Sequence, residues 1–186
     1  MKSGIPGNSV SYRQAQRFDI PRMFAIWAIE KGEGGTSLER MTAYFDGLLN
    51  PQRALPPRVI FLAEQGDVLR GYIAGHLTRR FDCDGELEWL YVNPERRRTG
   101  VAAGLMHCLE AWFQQQKAAR VCVNVGVTNA PAIQFYSKHG AAPMKLGWMV
   151  WKNFAKPEVP PKLNRPKRTT KDTKAHKGGP TTTRPS

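Results

Sequence analysis

Residues 86–102, ELEWLYVNPERRRTGVA, are the stretch of sequence that indicates the fold most specifically. A strand-like run ends at Asn93 and Pro94, and a turn containing Arg97 and Arg98 follows it. Gly100 then begins a segment with helical periodicity. The first N–H groups of a helix lack internal partners, and the helix dipole favours negative charge there. A strand that leads through a small-residue turn into a helix therefore predicts a site for phosphate.

This turn differs from the two most familiar phosphate-binding motifs. The G-x-x-x-x-G-K-[ST] pattern of nucleotide hydrolases is absent from it. The third glycine and the downstream acid of a dinucleotide-binding fingerprint are also missing. Gly100 and Ala102 nevertheless supply small positions through which phosphate can reach the backbone, and Arg97 and Arg98 add positive charge.

A second motif, NAPAIQFYSKHGA at residues 129–141, lies downstream of the turn. It resembles the N-x-x-A-x-x-F-Y-x-x-x-G-[FA] segment of the GNAT superfamily of N-acetyltransferases, whose [RQ]-x-x-G-x-[GA] signature is satisfied by residues 97–102. The resemblance covers roughly residues 59–151. It implies a single-domain α/β (α+β) fold, in which a mixed central sheet flanked by helices is splayed to hold acetyl-CoA as the cosubstrate.

The resemblance also implies roles for individual residues. Tyr136 would donate a proton to the departing thiolate of the cofactor, and Asn129 would contact the cofactor's pantetheine side. The strand end and the turn would hold pantetheine and pyrophosphate through backbone groups. The residues concerned are Leu90, Tyr91, Val92, Arg97, Arg98, Thr99, Gly100, Val101, Ala102 and Ala103.

An amine that accepts an acetyl group must first lose a proton, and Glu88 is the predicted proton acceptor. On a regular strand Glu86, Glu88, Leu90 and Val92 share one face, which would direct both acids toward the thioester. Glu86 and His76 are the alternatives to Glu88 as the base. Asp84 and Glu86 are predicted to bind a cationic substrate. Since Cys83, Cys108 and Cys122 lack metal-ligand spacing and a histidine partner, we expect neither a metal nor an acyl-enzyme.

The identity of the amine is left open by the sequence. Residues 87–92, 135–144 and 148–152 are similar to the diamine and polyamine acetyltransferase branch, which favours a small cationic amine or an aminoglycoside-like acceptor. A protein lysine or N-terminus is the main alternative. A non-catalytic acyl-CoA-binding or nucleic-acid-binding module is a third hypothesis, and Glu88 and Tyr136 favour an enzyme over it.

Charge and composition divide the chain at residue 154. Residues 155–186 carry a net charge of +7 of the total +13, and they are rich in proline and poor in apolar residues. Such a segment buries too little apolar surface to offset its ordering entropy, so a disordered tail is predicted after a domain at residues 1–154. A basic tail can also contact nucleic acid or the ribosome. The resemblance is compatible with a homodimer.

No apolar run approaches the roughly 18 residues that a transmembrane helix requires, and no apolar signal core follows Met1. We therefore expect a cytoplasmic protein without membrane contact. Hydrophobic periodicity predicts the order β-α-α-β-β-β-α-β-α-β. The predicted segments are 10–14, 19–30, 37–49, 59–64, 69–77, 86–92, 100–116, 119–125, 130–138 and 144–151.

Overall fold

The computed structural model describes residues 9–31, 38–51 and 53–154, all of which lie in one compact unit. Short 3-10 turns at Arg17–Asp19, Arg80–Asp82 and Pro94–Arg96 connect longer elements. In chain order these are β1 (Ser11–Gln14), α1 (Ile20–Lys31), α2 (Leu38–Phe45), β2 (Ala54–Gln65), β3 (Val68–Thr78), β4 (Gly85–Val92), α3 (Val101–Gln115), β5 (Val121–Asn124), α4 (Ala130–Lys138), β6 (Ala142–Lys145) and β7 (Trp148–Trp151).

The strands form one mixed sheet in the order β1-β2-β3-β4-β5-β7-β6, in which only β4 and β5 run parallel. Helices cover both faces of this sheet. Helices α3 and α4 pack on one face around Leu105, Leu109 and Phe113. On the other face α1 and α2 pack around Met23, Met41 and other apolar side chains. Strand β3 is buried nearly throughout because both of its faces are covered, as its apolar sequence predicts.

The centre of the sheet opens between β4 and β5. The two strands pair from Gly85 to Leu87 on β4 and from Val121 to Val123 on β5. Beyond these pairs, the described part of the chain places no strand against this edge of β4. The backbone from Glu88 to Val92 therefore borders a gap that another extended chain can enter.

The predicted fold class is confirmed, and most predicted elements lie within a few residues of the observed ones. The last predicted strand is wrong as a single element, because Gly147 turns the chain at φ 74° and divides it into the hairpin β6–β7. Strand β2 begins earlier than predicted and includes Pro56 and Pro57, which lie where its register with β3 shifts. Prolines are tolerated at such an irregularity because a ladder hydrogen bond is already missing there.

Two expectations concern residues outside those described. The start of α2 near Ser37 and the tail at residues 155–186 lie there, so the domain boundary at residue 154 stays a prediction. Within the described ranges, no helix is both long and apolar enough to cross a lipid bilayer.

Candidate active site

The predicted phosphate-binding turn precedes α3 and is open to solvent. Gly100 caps the helix with φ 88°, and a Cβ added there would meet nothing within 4 Å. The backbone N–H of Gly104 donates to the Gly100 carbonyl at 3.0 Å, and this is the first helical hydrogen bond. The amides of residues 101–103 precede that bond and have no acceptor within the helix. This arrangement fits an anionic group such as a pyrophosphate.

Side chains hold the turn in place. The Nε of Arg97 donates to the carbonyl of Val92 at 3.1 Å, which ties the turn to the end of β4. The hydroxyl of Thr99 donates to the carbonyl of Arg96 at 2.6 Å. Arg98 has φ 63°, a left-handed conformation that favours glycine, so the turn is strained at this point. The turn therefore has a defined shape before any ligand enters.

A β-bulge at Glu88 changes the direction of the side chains on β4. Ala74 of β3 pairs with Trp89, whereas the next residue, Gly75, pairs with Leu87, so Glu88 has no partner in the register. The inserted residue shifts the alternation by one position. The prediction that one face carries both acids together with Leu90 and Val92 is therefore wrong. Leu90 and Val92 pack on the α3 face, and Trp89 packs on the α2 face.

The two glutamates meet His76 on the α2 side of the sheet. One ligand-type atom from each of Glu86, Glu88 and His76 lies within 4.8 Å of the others. The hydroxyl of Tyr44 hydrogen-bonds Nδ1 of His76 at 3.0 Å. The Nε2 atom of His76 is fully buried, has no hydrogen-bond partner among the described residues, and lies 3.7 Å from Oε2 of Glu86. A buried polar atom without a partner is costly, so this nitrogen marks a position for a polar group.

Burial raises the pKa of Glu88 above that of an ordinary glutamate. Positive charge on His76, Arg40 and Arg80 acts in the opposite direction, and the negative charge of Glu86 adds to the rise. A carboxylate with a raised pKa is a stronger base than an exposed one, and its proton exchange lies closer to neutral pH. The arrangement can therefore take a proton from a substrate.

Tyr136 lies on the opposite side of the opening, in the core between α4 and the sheet. Its ring makes edge contacts with Phe135 and Trp151, and only 6% of its surface is exposed. Burial raises the pKa of its hydroxyl, so this group keeps its proton well above neutral pH. Asn129 caps α4 by accepting a hydrogen bond from the amide of Ala132 at 3.3 Å.

Comparisons with known proteins agree with this geometry. The model of the acetyltransferase (GNAT) family matches residues 22–141, which is more than half of the chain. The chain belongs to the GNAT acetyltransferase family. Uncharacterized N-acetyltransferases of Mycobacterium tuberculosis and Mycobacterium bovis are each 35% identical to it over 107 residues, which are 55% of this chain and 67% of the relative.

Solved acetyltransferase structures share the fold at low sequence identity. The yncA acetyltransferase of Salmonella typhimurium, described with its cofactor acetyl-CoA, is 17% identical with a TM-score of 0.60 over 84% of this chain and all of that one. The paiA N-acetyltransferase of Thermoplasma acidophilum, in complex with coenzyme A, is 15% identical with a TM-score of 0.58 over 76% of this chain and 96% of its own. These structures agree in fold, and the match to the family model confirms the expectation of an acetyl-CoA-dependent N-acetyltransferase at the level of the family.

Within this acetyltransferase, Asp84 contacts the backbone. Its Oδ2 accepts hydrogen bonds from the amides of Ala119 and Arg120 at 3.0 and 2.9 Å, which fixes the entry to β5 beside the start of β4. This carboxylate organises the backbone, and its role in substrate binding stays a prediction.

Sequence reasoning missed Tyr44 and Arg80. The sequence predicts Tyr44 only as a residue of the helix at 37–49, although its hydroxyl contacts His76. Arg80 was not singled out, although its Nε donates to Oε2 of Glu86 at 2.9 Å. One sequence signal pointed to such contacts, namely His76 within an apolar strand. A polar group buried in such a strand requires hydrogen-bond partners, which come from residues distant in sequence.

Proposed function

We propose that the protein transfers the acetyl group of acetyl-CoA to a small cationic primary amine, with Glu88 as the base. The observation that carries the proposal is the position of Glu88, a half-buried carboxylate at a bulge of β4 where the pairing with β5 ends. The cofactor would enter between these strands, with its pyrophosphate against the amides that precede Gly104. The amine would approach from the α2 side, where Glu88, His76 and Tyr44 lie.

A proton acceptor is needed because amines are charged at neutral pH. An alkylamine with a pKa of about 10.4 has roughly one neutral molecule in 2,500 at pH 7, which corresponds to about 4.6 kcal/mol. A positioned base typically recovers a factor of about 10²–10⁴ in rate. The raised pKa of Glu88 supports this role, since such a carboxylate binds the amine's proton more strongly than an exposed glutamate does.

The step balances with two protein groups. The ammonium first gives one proton to Glu88, which later releases it to solvent, and the neutral nitrogen then attacks the thioester carbonyl carbon. As the intermediate collapses and the carbon–sulfur bond breaks, the nitrogen loses a second proton, which replaces the one that Tyr136 gives up. The leaving thiolate takes a proton from the hydroxyl of Tyr136, which burial keeps protonated. A backbone N–H of β4 near Val92 would stabilise the negative carbonyl oxygen of the tetrahedral intermediate. This route needs no covalent acyl-enzyme.

The charges around Glu88 limit the acceptor further. Arg40 and Arg80 act on Glu88, and the guanidinium of Arg58 lies 4.8 Å from the ring centre of Tyr44. Glu86 is already paired with Arg80. One carboxylate therefore remains for one ammonium group, which favours an acceptor with a single amine near the site over a long polyamine. A protein N-terminus or lysine also meets this condition and is the second candidate.

An acceptor panel tests the proposal directly. Free coenzyme A thiol released from acetyl-CoA would be measured with monoamines, diamines, aminoglycosides and short peptides that have a free or blocked N-terminus. We expect thiol release with a small primary amine and none with the N,N-dimethylated form of the same amine. Turnover confined to unblocked peptides would select the second candidate, and no turnover with any amine would contradict the proposal.

The cofactor side is tested by Gly100→Glu. The substitution places a carboxylate, and a side chain strained at φ 88°, where the pyrophosphate would approach. We expect the affinity for coenzyme A, measured by calorimetry, to fall about 100-fold or more, because like charges meet at the anion site. Ala119→Glu, an exposed change after α3, is the matched control and should bind as the native chain does. Native affinity in a folded Gly100→Glu protein would remove the turn from the site.

A further inference from the structure

The two carboxylates of the site differ in their partners. Glu86 is 3% exposed, and its Oε2 accepts a hydrogen bond from Nε of Arg80 at 2.9 Å. Glu88 makes no ion pair among the described residues, although one of its carboxylate oxygens lies within 4.8 Å of ligand atoms of Glu86 and His76. Two neighbouring acids thus occupy one cluster, and only one of them is held by an arginine.

The structure holds Arg80 firmly against Glu86. The guanidinium of Arg80 lies 4.8 Å from the ring centre of Trp148 on β7 and 5.9 Å from that of Phe81. Phe81 and Asp82 follow with φ 53° and φ 57°, two consecutive left-handed residues that are not glycine. Such a conformation costs free energy and persists only where its surroundings determine it. The loop between β3 and β4 is therefore shaped so that Arg80 lies between Glu86 and Trp148.

We propose that Arg80 is a positioning residue that determines which of the two acids, Glu86 or Glu88, accepts the amine's proton. Its guanidinium holds Glu86 in an ion pair and leaves Glu88 as the acid that exchanges the amine's proton. This inference rests on the proposed role of Glu88 as the base. It adds Arg80, in the turn before β4, as a residue that influences the pH at which the enzyme becomes active.

Arg80 and Glu86 act on Glu88 in opposite directions, because the guanidinium lowers the pKa of Glu88 and the neighbouring carboxylate raises it. The charged and titratable groups that face Glu88 come from several elements. Glu86 lies on β4 itself, His76 on β3, Tyr44 and Arg40 on α2, and Arg80 on the turn before β4. Arg80 donates a hydrogen bond to Glu86 at 2.9 Å, whereas Nε2 of His76 lies farther from Glu86, at 3.7 Å.

The test compares two variants that break the same ion pair. In Arg80→Gln, Glu86 loses its cation, so the acid limb of log kcat/KM should move to higher pH by about one unit. In Glu86→Gln, a negative neighbour is lost while the positive charge stays, so the limb should move to lower pH by a similar amount. A purely structural role for the pair would give limbs unchanged in position or shifted in the same direction.

Three further variants serve as controls. Arg80→Gln combined with Glu86→Gln removes both charges and should return the limb close to the native position. Arg80→Lys keeps the positive charge but loses the planar stacking on Trp148. The acid limb of log kcat/KM should therefore stay at its native pH, while KM should rise. Arg79→Gln changes the exposed neighbouring arginine, whose side chain donates to the carbonyl of Thr78, and should leave the profile unchanged.

Melting curves of every variant show which ones are folded. If Arg80→Gln does not fold, the test depends on two other variants. The acid limb should move to lower pH in Glu86→Gln and stay at its native pH in Arg80→Lys. A native acid limb in folded Arg80→Gln, or an upward shift in Glu86→Gln, would overturn the inference. Failure of the proposed function is separate, because it would appear as a native rate and profile in Glu88→Gln.

Discussion

In the described part of the chain, two clusters of buried and half-buried carboxylates differ in how their charge is compensated. One cluster joins Asp19 and Glu64 to Arg13 and Arg22, where the chain enters α1 beside β2. The other joins Glu86 and Glu88 to His76 and Arg80 at the opening of the sheet. The first cluster has two arginines for two acids. The second has one arginine, which pairs with Glu86, while Glu88 makes no ion pair among the described residues.

The pKa values of the acids in the two clusters are shifted in opposite directions. Hydrogen bonds from Arg13 hold the pKa of Asp19 and that of Glu64 below their ordinary values. Asp19 also accepts the amide of Gln16 at 2.8 Å, so its oxygens are well satisfied. At Glu88, by contrast, burial raises the pKa. The contrast supports the proposal that Asp19 and Glu64 stabilise the fold, whereas Glu88 takes part in proton transfer.

The largest expected effect is that of Glu88→Gln on turnover. The amide keeps the shape of the side chain but cannot take a proton, so we expect kcat at pH 7 to fall about 10²–10⁴-fold. The loss should shrink as the pH approaches the amine's own pKa, where the substrate is neutral without help. Steady-state rates between pH 6 and pH 10 would measure this.

The matched control for Glu88→Gln is Glu64→Gln, the same change in the other cluster. It should lower the melting temperature while leaving the rate per folded molecule unchanged, because Glu64 lies in the entry to α1 and not in the site. A Glu88→Gln protein that is impaired equally at all pH values would point to a role in binding or structure.

The second expected effect concerns the stability that the first cluster provides. In Asp19→Asn the side chain of Arg13 loses a buried anion to which it donates at 2.7 and 2.8 Å. Breaking a fully buried pair costs about 3–5 kcal/mol, and because the Arg13 side chain is 35% exposed we expect roughly 2–4 kcal/mol. Urea unfolding would measure the loss. An unchanged midpoint would show that solvent replaces the pair without cost.

The sequence predicted one part of the site better than the other. The turn at Gly100 and the start of α3 depend on neighbouring residues, so small side chains and helical periodicity were sufficient to locate them. The acids of β4 were found from strand alternation, but their relation to Leu90 was wrong because a bulge inserts one residue. A bulge depends on the pairing with β3, and no property of Glu88 itself indicates it.

The side chains that define the reactivity of Glu88 come from distant parts of the chain. Tyr44 lies 32 residues before His76, and α2 places its hydroxyl on the imidazole only after the helix packs on the sheet. Trp148 reaches Arg80 through the order of the central strands. Periodicity gives the type of an element, whereas these contacts depend on tertiary packing, so a single sequence did not contain a readable signal for them.

A smaller effect is expected on the other side of the opening, in Tyr136→Phe. The change removes the proton donor but keeps the ring between Phe135 and Trp151. A thiol with a pKa near 8.5 leaves fairly well without help, so we expect kcat to fall about tenfold to a few hundredfold. Rates and a melting curve on one preparation would separate chemistry from packing. A native rate in a stable protein would leave the hydroxyl without a catalytic role.

The smallest expected effect is a difference in how the two clusters change stability with pH. Glu64 has a lower pKa in the folded protein than in the unfolded chain, so its stabilising contribution is present above the unfolded value near 4.3. That contribution is lost as the pH falls through the folded value. Glu88 has a raised folded pKa, so its ionised form destabilises the protein at pH 7 and protonation on acidification removes this cost.

Melting curves of Glu64→Gln and Glu88→Gln between pH 3 and pH 8 would therefore deviate from the native protein in opposite directions. At pH 7 Glu64→Gln should melt lower and Glu88→Gln higher, by about 2–4 °C for each kcal/mol. The gain in Glu88→Gln should vanish first, as the pH falls to the unfolded value, since the native acid is then neutral as well. The loss in Glu64→Gln should persist to lower pH, until the folded carboxylate is protonated. Deviations of the same sign would mean that both acids are compensated equally, which would remove the physical basis for treating Glu88 as the reactive one.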